Sequence, residues 1–183
     1  MVKLKTQTAL GADVPLSATI GVLSISENND LALASLTKPK TSKASQVFGM
    51  SLPDIGRYST KDAHSVFWIG PDQWMVCGDG KAELNFAQEV KSQVPDAYVT
   101  EQSNGWVCFD VVSSMDEKPI ENLLERLINI DLQLVKAGQC VRTGLHHMNV
   151  CVVRPDANNV SIFGMRSFAG SLWYHLRETA ERL

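Results

Sequence analysis

The sequence predicts an α+β fold in which two related lobes of antiparallel-rich sheet are covered by helices. Short apolar runs with the two-residue period of strands alternate with segments that have the three- and four-residue period of amphipathic helices. Each half of the chain has the same order of strand, helix, strand-turn-strand and helix. We expect an extended N-terminal arm over residues 1–17 and a single two-lobed domain over residues 18–183. Its lobes would cover about 18–96 and 97–183.

Composition and the lack of targeting signals predict a cytoplasmic location for this domain. A chain of 183 residues with 44% hydrophobic content can bury one substantial core. Its formal net charge of -3 argues against a nucleic-acid binder, which normally has a basic face. No segment approaches the roughly 20 apolar residues of a membrane helix, and the residues after Lys3 and Lys5 are too polar for a secretory signal. We therefore expect a cytoplasmic protein that binds neither nucleic acid nor membrane.

The first lobe begins with two predicted strands and a short helix. Residues 18–26 and 31–37 have strand-like apolar runs, joined by an Asn-Asn-Asp turn at 28–30. Residues 42–50 can form a short helix, with Ser42 as its N-cap.

The stretch WIGPDQWMVCG, residues 68–78, predicts a core hairpin. Pro71 and Asp72 are turn residues, and alternation places Trp68 on the face opposite to Phe67 and Ile69. The two tryptophans could instead line a ligand site, but a hairpin accounts for every apolar residue in the segment. A helix follows, with Leu84, Ala87, Val90 and Val94 on one stripe and its end before Pro95.

The second lobe repeats this plan. Residues 105–113 predict a strand, and residues 119–130 predict the clearest amphipathic helix in the chain. Residues 148–155 and 160–165 predict a hairpin, and Ser167 is a possible cap for a final helix. The apolar stripe of that last helix is formed by Ala169, Leu172, Trp173, Leu176, Ala180 and Leu183.

Neither a metal site nor a catalytic motif is evident. The cysteines, at positions 77, 108, 140 and 151, form no C-x-x-C pair, and we expect buried, reduced thiols. His146 and His147 would point to opposite faces of a strand, so we expect one packed and one solvent-facing histidine. No Gly-rich phosphate loop, H-E-x-x-H or G-x-S-x-G motif occurs.

Four blocks of the sequence, in order, resemble the gamma subunit of heterotetrameric sarcosine oxidase. They are WIGPDQWMV at 68–76, EQSNGWVCFDVVS at 101–113, NIDL with GQCVRTGLHHMNVCVVR between 129 and 154, and GMRSFAGSLWYHL at 164–176. Ser114-Met115-Asp116 departs from the Ser-Gly-Pro that is frequent in the family, and Glu101 replaces a commoner Asp. These positions would be turns or rims, so the departures affect local geometry.

The resemblance implies a fold related to the folate-binding region of glycine-cleavage aminomethyltransferases. It also implies a complex that demethylates sarcosine to glycine and passes the one-carbon unit to tetrahydrofolate. The partners would be the alpha, beta and delta subunits. FAD, FMN, NAD and zinc would lie in those subunits, and no cofactor in this chain.

Two functional hypotheses follow. In the first, the chain is a non-catalytic assembly subunit, and the candidate interface residues are Trp68, Trp106, Trp173 and Tyr174, because aromatic side chains concentrate at interface cores. In the second, it is a free-standing folate-binding or aminomethyl-transferring protein, whose only candidate site residues are Glu101, Asp110 and Arg142. The first hypothesis predicts no catalytic, cofactor-binding or metal-binding residue in this chain.

Overall fold

The structure, a computed structural model, describes residues 7–183. Within this range the chain forms thirteen strands, three α-helices and two short 3-10 helices. The strands are β1 (Ser17–Ile20), β2 (Leu23–Asn28), β3 (Ala32–Thr37), β4 (Gln46–Val47), β5 (Met50–Ser51), β6 (Tyr58–Lys61), β7 (His64–Gly70), β8 (Gln73–Gly78), β9 (Tyr98–Glu101), β10 (Trp106–Ser113), β11 (Gln139–Leu145), β12 (Met148–Asp156) and β13 (Asn159–Met165). The helices are α1 (Phe86–Gln93), α2 (Lys118–Leu127) and α3 (Ala169–Glu181), with 3-10 turns at Leu132–Leu134 and Arg166–Phe168.

These strands form two antiparallel sheets and a small ribbon. The six-stranded sheet has the order β1-β2-β10-β13-β12-β11, the five-stranded sheet has the order β6-β7-β8-β3-β9, and β4 pairs with β5. This architecture confirms the predicted α+β class with antiparallel sheets. Each sheet takes strands from both sides of position 97, since β1 and β2 join the six-stranded sheet and β9 joins the five-stranded one. The sheets therefore do not divide at the lobe boundary expected from the sequence.

The two sheets stack face to face, and helices cover their outer faces. Because side chains alternate along each strand, both faces of each sheet can be packed. One face of the six-stranded sheet packs against α2 and α3 in a core that contains Phe109 and Leu123. The outer face of the five-stranded sheet packs against α1 through Phe86 and Val90. The two remaining faces pack against each other. The resulting order of layers is helices, sheet, sheet, helix.

The backbone also joins the two sheets at one corner. The Tyr58 N–H donates to the Gly138 carbonyl at 3.1 Å, and the Cys140 N–H donates to the Gly56 carbonyl at 3.0 Å. Between these bonds, Arg57 and Gln139 form an antiparallel bridge. The edge strands β6 and β11 of different sheets thus meet here, which satisfies backbone groups that an open edge would leave exposed.

The predicted tryptophan hairpin is present as β7 and β8. Asp72 in its turn has a φ of 53°, and Trp68 lies directly opposite Trp74. Trp74 is buried, and its Nε1–H donates to the Pro53 carbonyl at 2.8 Å. The hairpin side chains buried against the other sheet are those of Phe67, Met75 and Cys77. The segment is therefore a core hairpin, as the sequence predicts.

The prediction of a helix over residues 42–50 is wrong, because this segment contains the β4–β5 ribbon. Phe48 and Gly49 at its turn have φ values of 50° and 70°. Two consecutive left-handed residues match a tight hairpin turn and are incompatible with a helix. Ser42 does not cap a helix; its Oγ accepts a hydrogen bond from the Ala44 N–H at 3.0 Å. Burial of Val47 in the core beneath α1 favours the ribbon.

The three predicted longer helices are present, with changes at their ends. Helix α1 begins at Phe86, which is buried. Leu84, predicted on the apolar stripe, lies before the helix and is 57% exposed. Helix α3 follows a 3-10 turn, and its N-cap is Phe168, not Ser167, with no side-chain cap bond. The longest helix within residues 7–183 is α3, with 13 residues, so none of the helices described reaches the length and hydropathy required to cross a membrane.

The N-terminal arm is attached to the body through Glu27. Residues 1–6 of the predicted arm lie outside the described residues. In residues 7–16, the N–H groups of Leu10 and Leu16 donate to the Glu27 carboxylate at 3.2 and 3.4 Å. Glu27 is buried, and these bonds replace part of the hydration that its carboxylate loses.

Candidate functional site

The layer between the two sheets contains all four cysteines. Cys77 comes from the five-stranded sheet, and Cys108, Cys140 and Cys151 come from the six-stranded sheet. All are buried free thiols, as predicted. Burial raises the pKa of Cys77 and Cys151 to about 12 and that of Cys140 to about 11. Such thiols stay protonated near neutral pH and are poor nucleophiles and poor metal ligands.

At one end, this apolar layer opens into a polar cleft of about 400 Å³. On β10, the buried Cys108 is followed on the same face by Asp110, and on β13 the buried Phe163 is preceded on the same face by Ser161. Asp110 and Ser161 lie opposite each other in register. On both neighbouring strands, this face of the sheet therefore changes from apolar to polar over two residues. We name this space the inter-sheet cleft.

Asp110 is the most extensively bonded side chain of the inter-sheet cleft. Its Oδ1 accepts a hydrogen bond of 2.5 Å from the Ser161 hydroxyl, and its Oδ2 accepts one of 2.9 Å from Asn28 Nδ2. The Cys108 Sγ lies 3.7 Å from Oδ1. Because these donors lie on β13, β2 and β10, neighbouring strands of one sheet fix the orientation of the carboxylate.

The opposite wall of the cleft comes from the five-stranded sheet. Tyr58 lies on β6, and burial raises the pKa of its hydroxyl, while the neighbouring Thr60 and Ser65 side chains act to lower it. Asp79 follows β8 directly. Partial burial raises the pKa of Asp79, and the negative charge of Asp110 raises it further. The two carboxylates, one from each sheet, are thus electrostatically coupled.

The cleft has two carboxylates, Asp79 and Asp110, and no Lys or Arg in its lining, although His64, which is not part of the lining, acts to lower the pKa of Asp79. Neither carboxylate forms a salt bridge among residues 7–183. Asn159 also lines the cleft, and its buried Oδ1 has no hydrogen-bond partner within the same described range. The two carboxylates offer acceptors and negative charge to a ligand. No group of three or more potential metal-ligating side chains occurs in residues 7–183.

Of the three residues named for a folate-type site, only Asp110 lies in the cleft. Glu101 is on the edge strand β9, where its carboxylate accepts hydrogen bonds from the Ser103 hydroxyl and the Ala87 N–H. Partial burial acts to raise its pKa, but these bonds hold the pKa of Glu101 below its usual value. Arg142 is exposed on β11, three strands and thus about 14 Å from β10. The three residues therefore do not converge on one site.

The four candidate interface aromatics differ in exposure. Tyr174 is 57% exposed on α3, whereas the three tryptophans are only partly exposed. Trp68 packs against both cores of the five-stranded sheet. Trp106 packs on the inter-sheet layer, and Trp173 packs on the helix-covered core with Arg177 5.9 Å from its ring centroid. Tyr174 is thus the most accessible of the four.

The expectation that one of the adjacent histidines packs inside is wrong. His146 and His147 are both exposed, at the turn between β11 and β12. His146 has a φ of 51°, and its ring stacks on His175 of α3 with a centroid distance of 3.8 Å. The tight turn replaces the extended backbone on which the prediction relied.

Sequence reasoning missed most of the cleft. Asp79, Tyr58, Asn28 and Ser161 were not candidates, because each belongs to a different strand or turn and no local spacing connects them. One signal was present: Asp110 and Ser161 each place a polar side chain on the inward face of an otherwise apolar strand. A buried face that turns polar in two predicted strands indicates a cleft or an interface.

No family model matches the chain, and no curated protein matches its sequence significantly. A chain of heterotetrameric sarcosine oxidase from Corynebacterium sp. U-96, solved in complex with pyrrole 2-carboxylate, superposes with a TM-score of 0.73 at 15% identity. The alignment covers 90% of this chain and 87% of that one. Glycine cleavage system aminomethyltransferase T from Bartonella henselae superposes with a TM-score of 0.61 at 11% identity. That alignment covers 82% of this chain and 44% of that one, so this chain spans less than half of the transferase.

These two likenesses agree with the α+β architecture and with the fold expected from the sequence blocks. At such low identity they establish the fold and leave the activity open. The chain therefore has the fold shared by this sarcosine oxidase chain and part of aminomethyltransferase T.

Proposed function

We propose that this chain is a cytoplasmic, non-catalytic assembly subunit of a heterotetrameric sarcosine oxidase. The complex would demethylate sarcosine to glycine and pass the one-carbon unit to tetrahydrofolate. One observation carries the proposal: the likeness to the sarcosine oxidase chain extends over 90% of this chain and 87% of the other, against 44% of the transferase. The alignment thus covers most of the sarcosine oxidase chain but less than half of the transferase.

The residues that carry the sequence resemblance have structural roles, which suits an assembly subunit. Trp74 fills the core beneath α1. Ser103 Oγ accepts a hydrogen bond from the Leu33 N–H at 2.8 Å, and Trp106 Nε1 donates to Gln102 Oε1 at 3.2 Å. These contacts stabilise the fold and leave few groups of the four blocks for catalysis.

In this proposal, the partners are the alpha, beta and delta subunits. They carry the FAD, FMN, NAD and zinc, and this chain holds no cofactor. Its contribution is to present surfaces on which the larger chains assemble.

The outer face of α3 is the best-supported candidate for such a surface. Tyr174 is 57% exposed, and its hydroxyl donates to Glu178 at 2.9 Å. Trp173 lies beside it, partly covered by Arg177. Aromatic and Arg side chains are enriched in interface cores, and a bonded, oriented tyrosine loses little conformational entropy on docking.

Affinity purification of the tagged full chain from its native organism tests the proposal. We expect larger, flavin-absorbing chains to co-elute at fixed stoichiometry. Tyr174→Ala should reduce their recovery. Tyr98→Ala should not, because it removes an exposed tyrosine from β9, an edge strand of the five-stranded sheet. Recovery of the chain alone as a monomer would contradict the proposal.

The alternative is a free-standing folate-binding or aminomethyltransferase-like protein. The likeness to aminomethyltransferase T and the fixed carboxylate of Asp110 in the inter-sheet cleft favour it. Calorimetric titration of the isolated chain with tetrahydrofolate separates the two functions. Saturable binding that is lost in Asp110→Asn would support the alternative, and absence of binding heat would support the assembly subunit.

A further inference from the structure

The polar groups of the inter-sheet cleft that can still form hydrogen bonds are acceptors. Asp79 lies at an exposed position and has no side-chain hydrogen bond among residues 7–183. Asp110 already accepts two hydrogen bonds shorter than 3 Å, but a carboxylate has about four acceptor positions. A ligand that satisfies these groups must donate hydrogen bonds and have a positive charge.

Below these acceptors, the cleft has an apolar floor. Phe67 and Phe163, one from each sheet, are both buried, and their ring centroids are 4.9 Å apart. Leu31 and Val153 also line this part. A cleft with acceptors on its walls and aromatic rings at its base suits a molecule with a donating cationic head and a short apolar stem.

We propose that the inter-sheet cleft is a binding site for a small organic ammonium ion held between Asp110 and Asp79. The charged nitrogen donates to Asp110 on one wall and to Asp79 on the other, and the apolar stem lies toward Phe67 and Phe163. A volume of about 400 Å³ accommodates a molecule of roughly ten non-hydrogen atoms with space for water.

The lining of the cleft excludes several other ligand classes. Anions meet two carboxylates and no cation, so charge repulsion opposes them. A zwitterionic amino acid would satisfy Asp110 but leave its own carboxylate unpaired, because the lining has no Lys or Arg. A divalent metal would need further oxygen, nitrogen or sulfur ligands, and residues 7–183 contain no group of three such side chains. An organic cation whose charged nitrogen donates hydrogen bonds is the class that remains.

An NMR titration of the ¹⁵N-labelled full chain tests the proposal with three probes of equal shape. Benzylammonium carries the charge, benzyl alcohol is neutral, and benzoate is negative. We expect benzylammonium to shift the amide resonances of Asp110, Ser161 and Ser65 saturably, with a Kd of about 1 mM or tighter. The alcohol and the benzoate should bind at least about tenfold more weakly.

Two variants locate the contacts, and one controls for charge. Asp110→Asn should weaken benzylammonium binding by at least about tenfold. Asp79→Asn, at an exposed position with no side-chain bond to lose, should weaken it similarly even if Asp110→Asn proves unstable. Asp72→Asn removes the same charge from the distant β7–β8 turn and should bind like the original chain.

Three outcomes would overturn the proposal. They are the absence of saturable shifts at the cleft up to about 10 mM, equal binding of alcohol and ammonium, and unchanged binding in Asp79→Asn together with any stable Asp110 variant. The titration uses the isolated chain and does not depend on subunit assembly. Its failure is therefore distinguishable from failure of the co-purification experiment.

Discussion

Ser161 donates a hydrogen bond of 2.5 Å to Asp110 across the β10–β13 pair, where the two residues lie directly opposite each other. Replacement of Ser161 by Ala leaves the carboxylate with one fewer donor in a half-buried site. We expect a loss of about 1.5–2 kcal/mol in the free energy of unfolding, measured by urea denaturation. Ser92→Ala, on the exposed face of α1, is the control and should change stability by less than about 0.5 kcal/mol. Equal effects of the two substitutions would show that the Ser161 bond contributes little.

Arg154 holds three segments together from a fully buried position. Its Nη1 donates to the Val135 carbonyl at 3.2 Å, and its Nη2 donates to the Ala157 carbonyl at 2.7 Å. Lysine keeps the charge, but its compact ammonium cannot span the two carbonyls that the separate guanidinium nitrogens reach, so Arg154→Lys should leave one carbonyl unpaired and lower the free energy of unfolding by about 3 kcal/mol. Arg177→Lys, at an exposed ion pair on α3, should lower it by less than about 0.5 kcal/mol. A small effect at Arg154 would contradict its role as a buried link.

The buried thiols should make stability fall at alkaline pH. The pKa of Cys77 is raised by burial to about 12 from an ordinary value of 9.0, which the unfolded chain retains. Because the unfolded state loses this proton first, the stability is complete below pH 9 and declines as the pH rises toward 12. Each such thiol contributes a slope of up to about 1.4 kcal/mol per pH unit.

Comparison of Cys77→Ala with the original chain isolates this contribution. Between about pH 8 and about pH 10.5, the variant should lose roughly 2 kcal/mol less of its unfolding free energy. Other groups that titrate in this range are common to both proteins and cancel. Identical pH dependence of the two proteins would show that the Cys77 thiol is not desolvated.

Two glycines near α3 should respond to alanine in opposite directions. A Cβ at Gly164 would collide with the Leu172 side chain, which is buried against the sheet. Gly164→Ala should therefore lower the free energy of unfolding by about 2 kcal/mol through overpacking. A Cβ at Gly170 would meet no atom, and this residue lies in the first turn of α3. Gly170→Ala should raise stability by about 0.5 kcal/mol, since alanine has the higher helix propensity. Thermal unfolding of both variants checks the prediction.

The parts of the fold that the sequence predicts are those in which periodicity and burial agree. The β7–β8 hairpin has apolar residues on both faces of both strands, and α2 buries Ile120, Leu123, Leu124 and Leu127 on one stripe. The edge strands β6 and β9 are short and largely exposed, so no apolar pattern marks them. The β4–β5 ribbon depends on a left-handed Phe48, which sequence rules do not anticipate for a bulky residue.

The cleft was only partly predictable, for a different reason. Asp110 is conspicuous in the sequence because it interrupts an apolar strand. Asp79 follows a strand of the other sheet, and its proximity to Asp110 depends on how the two sheets stack. No spacing along the chain encodes that packing, so the coupling of the two carboxylates became visible only in three dimensions.

The strand order has a consequence for how the chain acquires its structure during synthesis. All five strands of the five-stranded sheet lie between residues 32 and 101, so this sheet can assemble once a single continuous stretch has left the ribosome. β2 is different, because its sheet neighbour β10 begins at residue 106 and the remaining strands of that sheet end at residue 165. The apolar residues of the β1–β2 hairpin therefore remain exposed until almost the whole chain has been synthesised. Premature termination after residue 101 would yield a sheet with one unprotected face, a species expected to aggregate or to recruit chaperones.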